Sequence, residues 1–387
     1  MTYRAYKTEI NPTLEQKRII NQTIGVCRYL QNLYIEKREQ YYEEHKKILT
    51  ANAFDQWYRK EYLLENPDKH WIKEVSSKSR RKALDDVNQA YNNFYAGRAN
   101  LPKFKRKHDQ EGSMYFVRKG KNSTIHCRRH CIKIETLGFV RLKEKGYLPT
   151  DLPIISGRIT KKASRYYVSV MVETDIDEQA FSDTNGYSDG QGIDVGIRDL
   201  AICSNGTIYP NINKSVKVKR IEKQLRKQQR KLSKKLHSRK EESANKNIAK
   251  QTIKVQKLHQ KLNNIRTNYE NQVIAQILKD KPRCITLETL NITGMLKNKH
   301  LSKSIQQQRL YSFTNKLTIK ARQLGIEVRK VSTFYPSSKL CASCGFKKLD
   351  LKLSDRTYHC DSCGYTNDRD INAALNLKQV EEYLVVE

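Results

Sequence analysis

No stretch of this 387-residue chain is apolar for long enough to span a bilayer, and Met1-Thr2-Tyr3-Arg4 opens no signal peptide. Acidic residues are also short: 41 Asp and Glu face 74 Lys and Arg, a formal net charge of +33. Such a surplus releases counterions from a polyphosphate. Nucleic acid is therefore the expected partner, ahead of an acidic membrane surface. Tryptophan is scarce, with 2 against 22 tyrosines, and tyrosine suits base and ribose stacking as well as core packing. Outside one C-terminal cluster the cysteines (Cys27, Cys127, Cys131, Cys203, Cys284) are scattered, which argues against a disulfide scaffold and for a reducing cytosol. The expectation is a cytoplasmic nucleic-acid-binding protein of two or three domains.

The chain opens with an extended piece, Tyr3 to Thr8. Asn11-Pro12-Thr13 then announces a helix, with Thr13 and Gln16 spaced as a capping box. Ile20, Ile24, Cys27, Leu30 and Tyr34 continue it at helical spacing. A second helix is predicted over Ser77 to Phe94, striped by Leu84, Val87, Tyr91 and Phe94. Its other face carries Arg80, Arg81 and Lys82, candidates for nucleic-acid contact. From Leu101 the texture changes. The run Pro102 to Lys107 alternates like a strand and offers Lys103, Lys105, Arg106 and Lys107 as further cationic contacts. Strand-like runs at Gly138 to Leu142 and Tyr166 to Val172 suggest a small β-barrel. His126-Cys127-Arg-Arg-His130-Cys131 has no complementary half-site, so it reads as an ordinary strand or turn rather than a metal site.

A polar linker, Asp177 to Gly192, precedes the apolar strand Gly192-Ile-Asp194-Val-Gly196, and Asn205-Gly206 then marks a hairpin. Val218 to Leu236 and Ile248 to Leu278, separated by the polar break Ser238 to Asn245, read as an antiparallel helical hairpin, apolar inside and basic outside. Its Lys227, Arg230 and Lys231 are candidates for a phosphate-facing ridge. Cys284-Ile-Thr-Leu-Glu288 is a second apolar strand ending in an acid. A helix over Ser304 to Leu324, a strand over Glu327 to Val331 and a helix over Asp368 to Leu377 follow. This order of elements is RNase H-like, with the Asp194 strand central and the Glu288 strand parallel beside it.

Asp194 and Glu288 interrupt buried runs, and an unpaired buried carboxylate costs several kcal/mol, so a cation is expected there. Asp370 shares the packing face with Ala373, Ala374 and Leu377, whereas Asp368 is placed to cap the helix. Asp194, Glu288 and Asp370 suit two Mg²⁺ or Mn²⁺ ions that activate water and stabilise the leaving oxygen in phosphodiester hydrolysis. The acid order argues against a DDE transposase, whose glutamate comes last. Between the second and third acids, Cys341-Ala-Ser-Cys344 and Cys360-Asp-Ser-Cys363 have the spacing of a structural zinc site.

These motifs resemble the TnpB (OrfB) proteins of insertion sequences. Gly192-Ile-Asp-Val-Gly-Ile-Arg-Asp-Leu-Ala201 is similar to their first RuvC motif and Leu287-Glu-Thr-Leu-Asn-Ile-Thr-Gly-Met295 to their second. Phe334 to Cys341, the four cysteines and Asp368 to Leu377 resemble their zinc ribbon and third motif. Thr289 departs from the pattern, since many members carry a second acid there. The resemblance implies a multidomain α+β protein whose RuvC nuclease domain (191–335 and 367–387) holds a basic hairpin over 212–280. A zinc ribbon over 336–366 is inserted in it. A wedge-like β-barrel (1–9 and 97–180) would hold a helical recognition lobe (10–96), joined to the nuclease through a linker at 181–190. It further implies an RNA-guided DNA endonuclease, a relative of type V CRISPR effectors. The protein would act as a monomer on a transposon-end-derived guide RNA and target DNA beside a short flanking motif. The rival is a non-cleaving DNA-binding repressor or transposase accessory factor, as in relatives that lose these acids. All three are present here.

Overall fold

The computed structural model describes residues 2–107, 112–118, 125–174, 189–237, 244–352 and 354–386. It divides into two compact units: Met1–Asp175 with Arg239–Lys257, and Ile176–Ser238 with Leu258–Glu387.

In the first unit β1 (Thr2–Asn11) runs straight into α1 (Leu14–His45). The expected capping box starts that helix: the Gln16 N–H donates to Thr13 Oγ1 at 3.3 Å, and the Thr13 N–H donates to Gln16 Oε1 at 3.0 Å. The Gln16 amide also donates to the carbonyls of Leu137 and Phe139, fixing the helix start to the sheet. Helices α2 (Ala51–Trp57), α3 (Leu63–Glu65) and α4 (Ser77–Tyr95) pack on α1 or its neighbours around Leu30, Tyr34, Phe54, Leu84 and Tyr91. Phe94, expected in the buried stripe of α4, is exposed one turn beyond it.

Six further strands join β1: β2 (Ser113–Val117), β3 (His126–Arg128), β4 (Cys131–Ile134), β5 (Gly138–Leu142), β6 (Ile154–Lys162) and β7 (Arg165–Thr174). The sheet is antiparallel, in the order β2-β6-β7-β1-β5-β4-β3, and its inner faces share one core. Among the described residues no ladder joins the edge strands β2 and β3, so the barrel is a curled sheet without hydrogen-bonded closure. Cys127 is buried in that core on β3, and His126 and Cys131 lie on ordinary paired strands.

The run Pro102 to Lys107 is not a strand. Pro102 has no N–H for a ladder, and the side chain of Asn32 serves the backbone of Lys105 instead, accepting its N–H at 2.8 Å and donating to its carbonyl at 3.0 Å. The alternation of basic and apolar residues comes from an extended segment strapped to a helix.

The second unit is built on a six-stranded sheet. Its strands are β8 (Gln191–Asp194), β9 (Asp199–Cys203), β10 (Ile208–Pro210), β11 (Cys284–Glu288), β12 (Glu327–Val331) and a short C-terminal β15 (Leu384–Val385). The order is β10-β9-β8-β11-β12-β15. The hairpin β8-β9-β10 is antiparallel, and Gly206, at φ 84°, makes the turn at Asn205-Gly206. β11 lies parallel to both β8 and β12. The order of strands agrees with the sequence-based expectation, with β15 additional, but β8 starts one residue earlier and ends two residues earlier, at Asp194. Residues 181–188 of the expected linker and 238–243 of the polar break lie outside the described residues.

Helices α5 (Val216–His237) and α6 (Ala244–Lys279) are antiparallel where they meet in this unit. Arg266 pairs with Glu222 at 3.0 Å, and Gln229 meets His259 at 3.4 Å. The apolar stripe of α5 is buried only in its first half: Ile221 and Leu225 are covered, whereas Leu236 is exposed. After a short α7 (Ile292–Leu296), the single helix expected over Ser304 to Leu324 is two, α8 (Ser302–Gln308) and α9 (Leu310–Gln323). They break at Arg309, which takes a left-handed conformation at φ 57°. Its guanidinium thereby reaches Thr267 at 2.8 Å and Glu270 at 3.2 Å, and Lys316 also pairs with Glu270 at 2.7 Å. Two cations thus satisfy a glutamate that is only 3 % exposed on α6.

A candidate nuclease centre joined to a cysteine tetrad

The topology delivers the acids to one place. Asp194 and Glu288 are the last residues of the adjacent parallel strands β8 and β11. The third element, α10 (Arg369–Gln379), lies directly across β8. A Cβ added at Gly192 would strike the Ala374 carbonyl and the Lys378 nitrogen, so glycine is required for this approach. Asp368 caps α10 as expected, its Oδ1 accepting the N–H groups of Asp370 at 2.9 Å and Ile371 at 3.2 Å. With the cap supplied by Asp368, the Asp370 carboxylate in the first turn faces the strand ends.

The carboxylates sense one another. Burial, then the charges of Glu288 and Asp370, push Asp194 from its ordinary 3.8 up to about 8. Burial raises Glu288 as well, partly opposed by a hydrogen bond donated by the hydroxyl of Ser337. At Asp370 the compensating charge is thin: Arg198 and Arg356 each stand 3.9 Å from Oδ2, and both are about half exposed. A carboxylic acid raised first by burial and then by two neighbouring acids fits a dication, which would remove the repulsion. Asp194, Glu288 and Asp370 are the residues that would hold it.

The cysteines are gathered more tightly. All four Sγ atoms lie within 4.8 Å of one another, with Cys341–Cys363 and Cys344–Cys360 at 3.6 Å. Zn–S bonds of about 2.3 Å in a tetrahedron imply sulfur separations of about 3.8 Å, so the tetrad fits a structural zinc. Each Cys-x-x-Cys turn ends in a glycine at φ 74°, Gly345 and Gly364, making two equivalent knuckles. Although burial opposes it, the backbone N–H groups of Cys363 and Ser362 pull the Cys360 thiol down to about 7. Strand β13 (Thr357–His359) leads into the second knuckle, and its antiparallel partner β14 (Thr366–Asp368) leads from it into α10.

Three residues that sequence reasoning does not single out connect the two centres. Asn372 accepts the Ala342 N–H at 3.0 Å and donates to the Leu340 carbonyl at 2.6 Å. Asn376, one turn on, donates to the carbonyls of Ser337 and Leu340, each at 2.7 Å. Ser337 donates in turn to Glu288. Two fully or nearly buried asparagines on the packing face of a helix are costly without partners. Their recurrence at i and i+4 in Asp-Ile-Asn-Ala-Ala-Leu-Asn is the signal that could have found them.

The basic candidates fall into different settings. Arg80 donates to the Tyr58 hydroxyl at 2.7 Å, and Arg81 and Lys82 pair with Asp85 and Asp86 one turn on, at 3.3 and 3.5 Å. Lys105 is half-buried, which lowers its pKa, and donates to Gln31 at 2.9 Å, whereas Lys103, Arg106 and Lys107 are exposed. Lys227, Arg230 and Lys231 line a groove along α5 with Arg220 and Lys234. The α5 set offers an uninterrupted cationic face; the α4 set is largely neutralised by its own helix.

Comparisons with known proteins find matches along most of the chain. The family described as "Probable transposase" (OrfB of IS605) matches residues 184–299, and the "Cas12f1-like, TNB domain" matches 311–377. A relative from Streptomyces pristinaespiralis, named "Putative RNA-guided DNA endonuclease", is 27 % identical over 97 % of this chain and 88 % of its own length. InsQ of Escherichia coli, which bears the same description, is 24 % identical over 97 % of this chain and 91 % of its own length.

The chain resembles the TnpB (OrfB) family.

A family segment described as "Helix-turn-helix domain" matches residues 1–47, yet here those residues form strand β1 and the single helix α1. In fold the chain is similar to Cas12f1 in a complex with guide RNA and target DNA. The TM-score is 0.52 at 14 % identity, covering 97 % of this chain and 98 % of that one. Among the described residues no helix is long and apolar enough to cross a membrane.

Proposed function

We propose that this protein is an RNA-guided DNA endonuclease whose RuvC-type centre is Asp194, Glu288 and Asp370. The observation that carries the reading is the convergence of the three acids at two parallel strand ends and one helix start, with Asp194 pushed up to about 8 by burial and then by its neighbours. The names of the relatives and the Cas12f-like fold support the same activity. Mg²⁺ or Mn²⁺ bound among the carboxylates would supply Lewis acidity for in-line attack of water on a phosphodiester.

The chain's own part is to hold and orient. β8 and β11 fix Asp194 and Glu288 side by side, and the approach at Gly192 brings Asp370 to them. Ser337 orients Glu288 and favours its ionised form. Arg198 and Arg356 place solvent-facing positive charge beside Asp370, where a strand phosphate can exchange for the carboxylate. The tetrad, closed by four sulfurs, takes no part in the chemistry and fixes the segment that carries Ser337.

The wedge-like barrel at 1–9 and 97–180, the recognition lobe at 10–96 and the ribbon at 336–366 are proposed as the parts that hold a transposon-end-derived guide RNA and the flanking motif. The α5 ridge is proposed to track a phosphate backbone. Base pairing would carry sequence specificity and the basic protein would read shape, with the complex working in the cytoplasm as a monomer. The test is cleavage of guide-matched duplex DNA by the purified ribonucleoprotein in magnesium. Guide-dependent binding with no cutting by the wild type would favour the repressor reading.

A further inference from the structure

The loop after β12 holds an aromatic ring in a position that packing does not explain. Val331, the last residue of β12, is in register with Glu288, and the Thr289 hydroxyl donates to its carbonyl at 2.7 Å. The Tyr335 N–H donates to the Ser332 carbonyl at 3.0 Å, and the Phe334 N–H donates to Ser332 Oγ at 3.3 Å. On the far side the Tyr335 hydroxyl donates to the Asn376 carbonyl at 3.3 Å, and Ser337 reaches Glu288. The loop is therefore tied at both ends to elements that carry the acids. Phe334, between the ties, is 91 % exposed, the most exposed large apolar side chain described.

Single apolar residues on a surface are ordinary. This one differs because its backbone is held near Glu288; Ser337, which donates to that carboxylate, lies three positions on, a reach of no more than about 11 Å. A ring left in water forgoes the gain of apolar burial. At the other end of the acid cluster Arg198 and Arg356 stand beside Asp370. Cations for the backbone and an aromatic face for a base are the pair of features that bind single-stranded nucleic acid without regard to sequence.

We infer that Phe334 is a stacking platform for a base of the single DNA strand presented for cutting, a positioning residue that holds that strand in register with the carboxylates. The inference rests on the nuclease reading. Its test separates the two by measuring binding without cutting. The holo-ribonucleoprotein is titrated with a short single-stranded oligonucleotide carrying 2-aminopurine, in calcium instead of magnesium.

Phe334→Ala is expected to weaken binding about tenfold and to remove the stacking quench. Phe334→Trp restores both and Phe334→Leu restores neither, with zinc content and melting midpoint unchanged in all three. Wild-type affinity in Phe334→Ala would overturn the inference. So would full recovery by Phe334→Leu, which would mean a generic apolar contact. A change in self-association with unaltered oligonucleotide affinity would overturn it as well, assigning the ring to a contact between copies. Failure of the wild type to cut guide-matched duplex in magnesium would overturn the nuclease reading, while the calcium titration would still report on stacking.

Discussion

The two candidate metal centres of the second unit are built on opposite plans. The tetrad is local: Cys341 and Cys363 lie 22 positions apart, and two matching knuckles bring the sulfurs to within 4.8 Å. The acid centre is assembled from residues 194, 288 and 370, each supplied by a different element, and its carboxylates are coupled without being drawn into so tight a set. A local site is specified by spacing and needs little from the rest of the fold. A distributed site depends on every approach that delivers its members, here Gly192 under α10, Ser337 at Glu288 and the asparagines of α10 on the ribbon. The second therefore has more ways to fail without losing a ligand.

The comparison breaks most sharply at the acids themselves. Asp194→Ala or Glu288→Ala is expected to lower single-turnover cleavage by roughly a thousandfold while RNA and target binding stay near wild type. A mutant cutting at the wild-type rate would remove that residue from the centre. Cys360→Ser should reduce bound zinc, as elemental analysis would show, and should lower cleavage through Ser337 and α10 without touching an acid. Unchanged zinc content would dissolve the link between the centres.

Smaller effects sharpen the comparison. Ser337→Ala should cost roughly 10- to 100-fold in activity or in magnesium affinity, as removal of a group that orients a ligand does, and Ser337→Thr should recover part of it. Equal magnesium dependence in wild type and Ser337→Ala would reduce the serine to a packing residue. Reversing the charge of Lys227, Arg230 and Lys231 together should flatten the salt dependence of nucleic-acid binding by about one unit of slope for each phosphate no longer neutralised. An unchanged slope would make the α5 face merely solvated.

The acid centre also predicts a pH effect. The folded value of Asp194, about 8, lies above its ordinary 3.8, so its contribution to stability is full below about 3.8 and is lost as pH rises through about 8. The metal-free protein should lose melting temperature by this route between about pH 4 and about pH 8, and magnesium should restore more of it at the higher pH. A magnesium increment that does not grow with pH would contradict the coupling.

Much of the second unit was legible because its strands are short apolar runs with one acid each, and because hydrophobic period and turn chemistry agree. Thr13 and Gln16 fixed the start of α1, Asn205-Gly206 fixed the hairpin, and the Asp368 cap followed from helix geometry. What escaped was set by tertiary partners. The alternation at Pro102 to Lys107 belongs to a segment strapped to Asn32. The helix break at Arg309 exists because its guanidinium answers Glu270, a residue whose burial no local pattern announced. The exposed second half of α5 shows that an apolar stripe without an opposing surface stays open. Ser337 escaped for the same reason, since its importance lies in what it touches, and Asn372 and Asn376 offered only their i, i+4 spacing as a signal.

The most direct measurement is the position of manganese, by anomalous scattering, in the protein bound to guide and target and loaded with Mn²⁺. Metal within about 2.5 Å of an oxygen from each of Asp194, Glu288 and Asp370, and absent in Asp194→Ala, is the predicted result. Manganese that touches only one of the three, or that survives the substitution unchanged, would contradict the account.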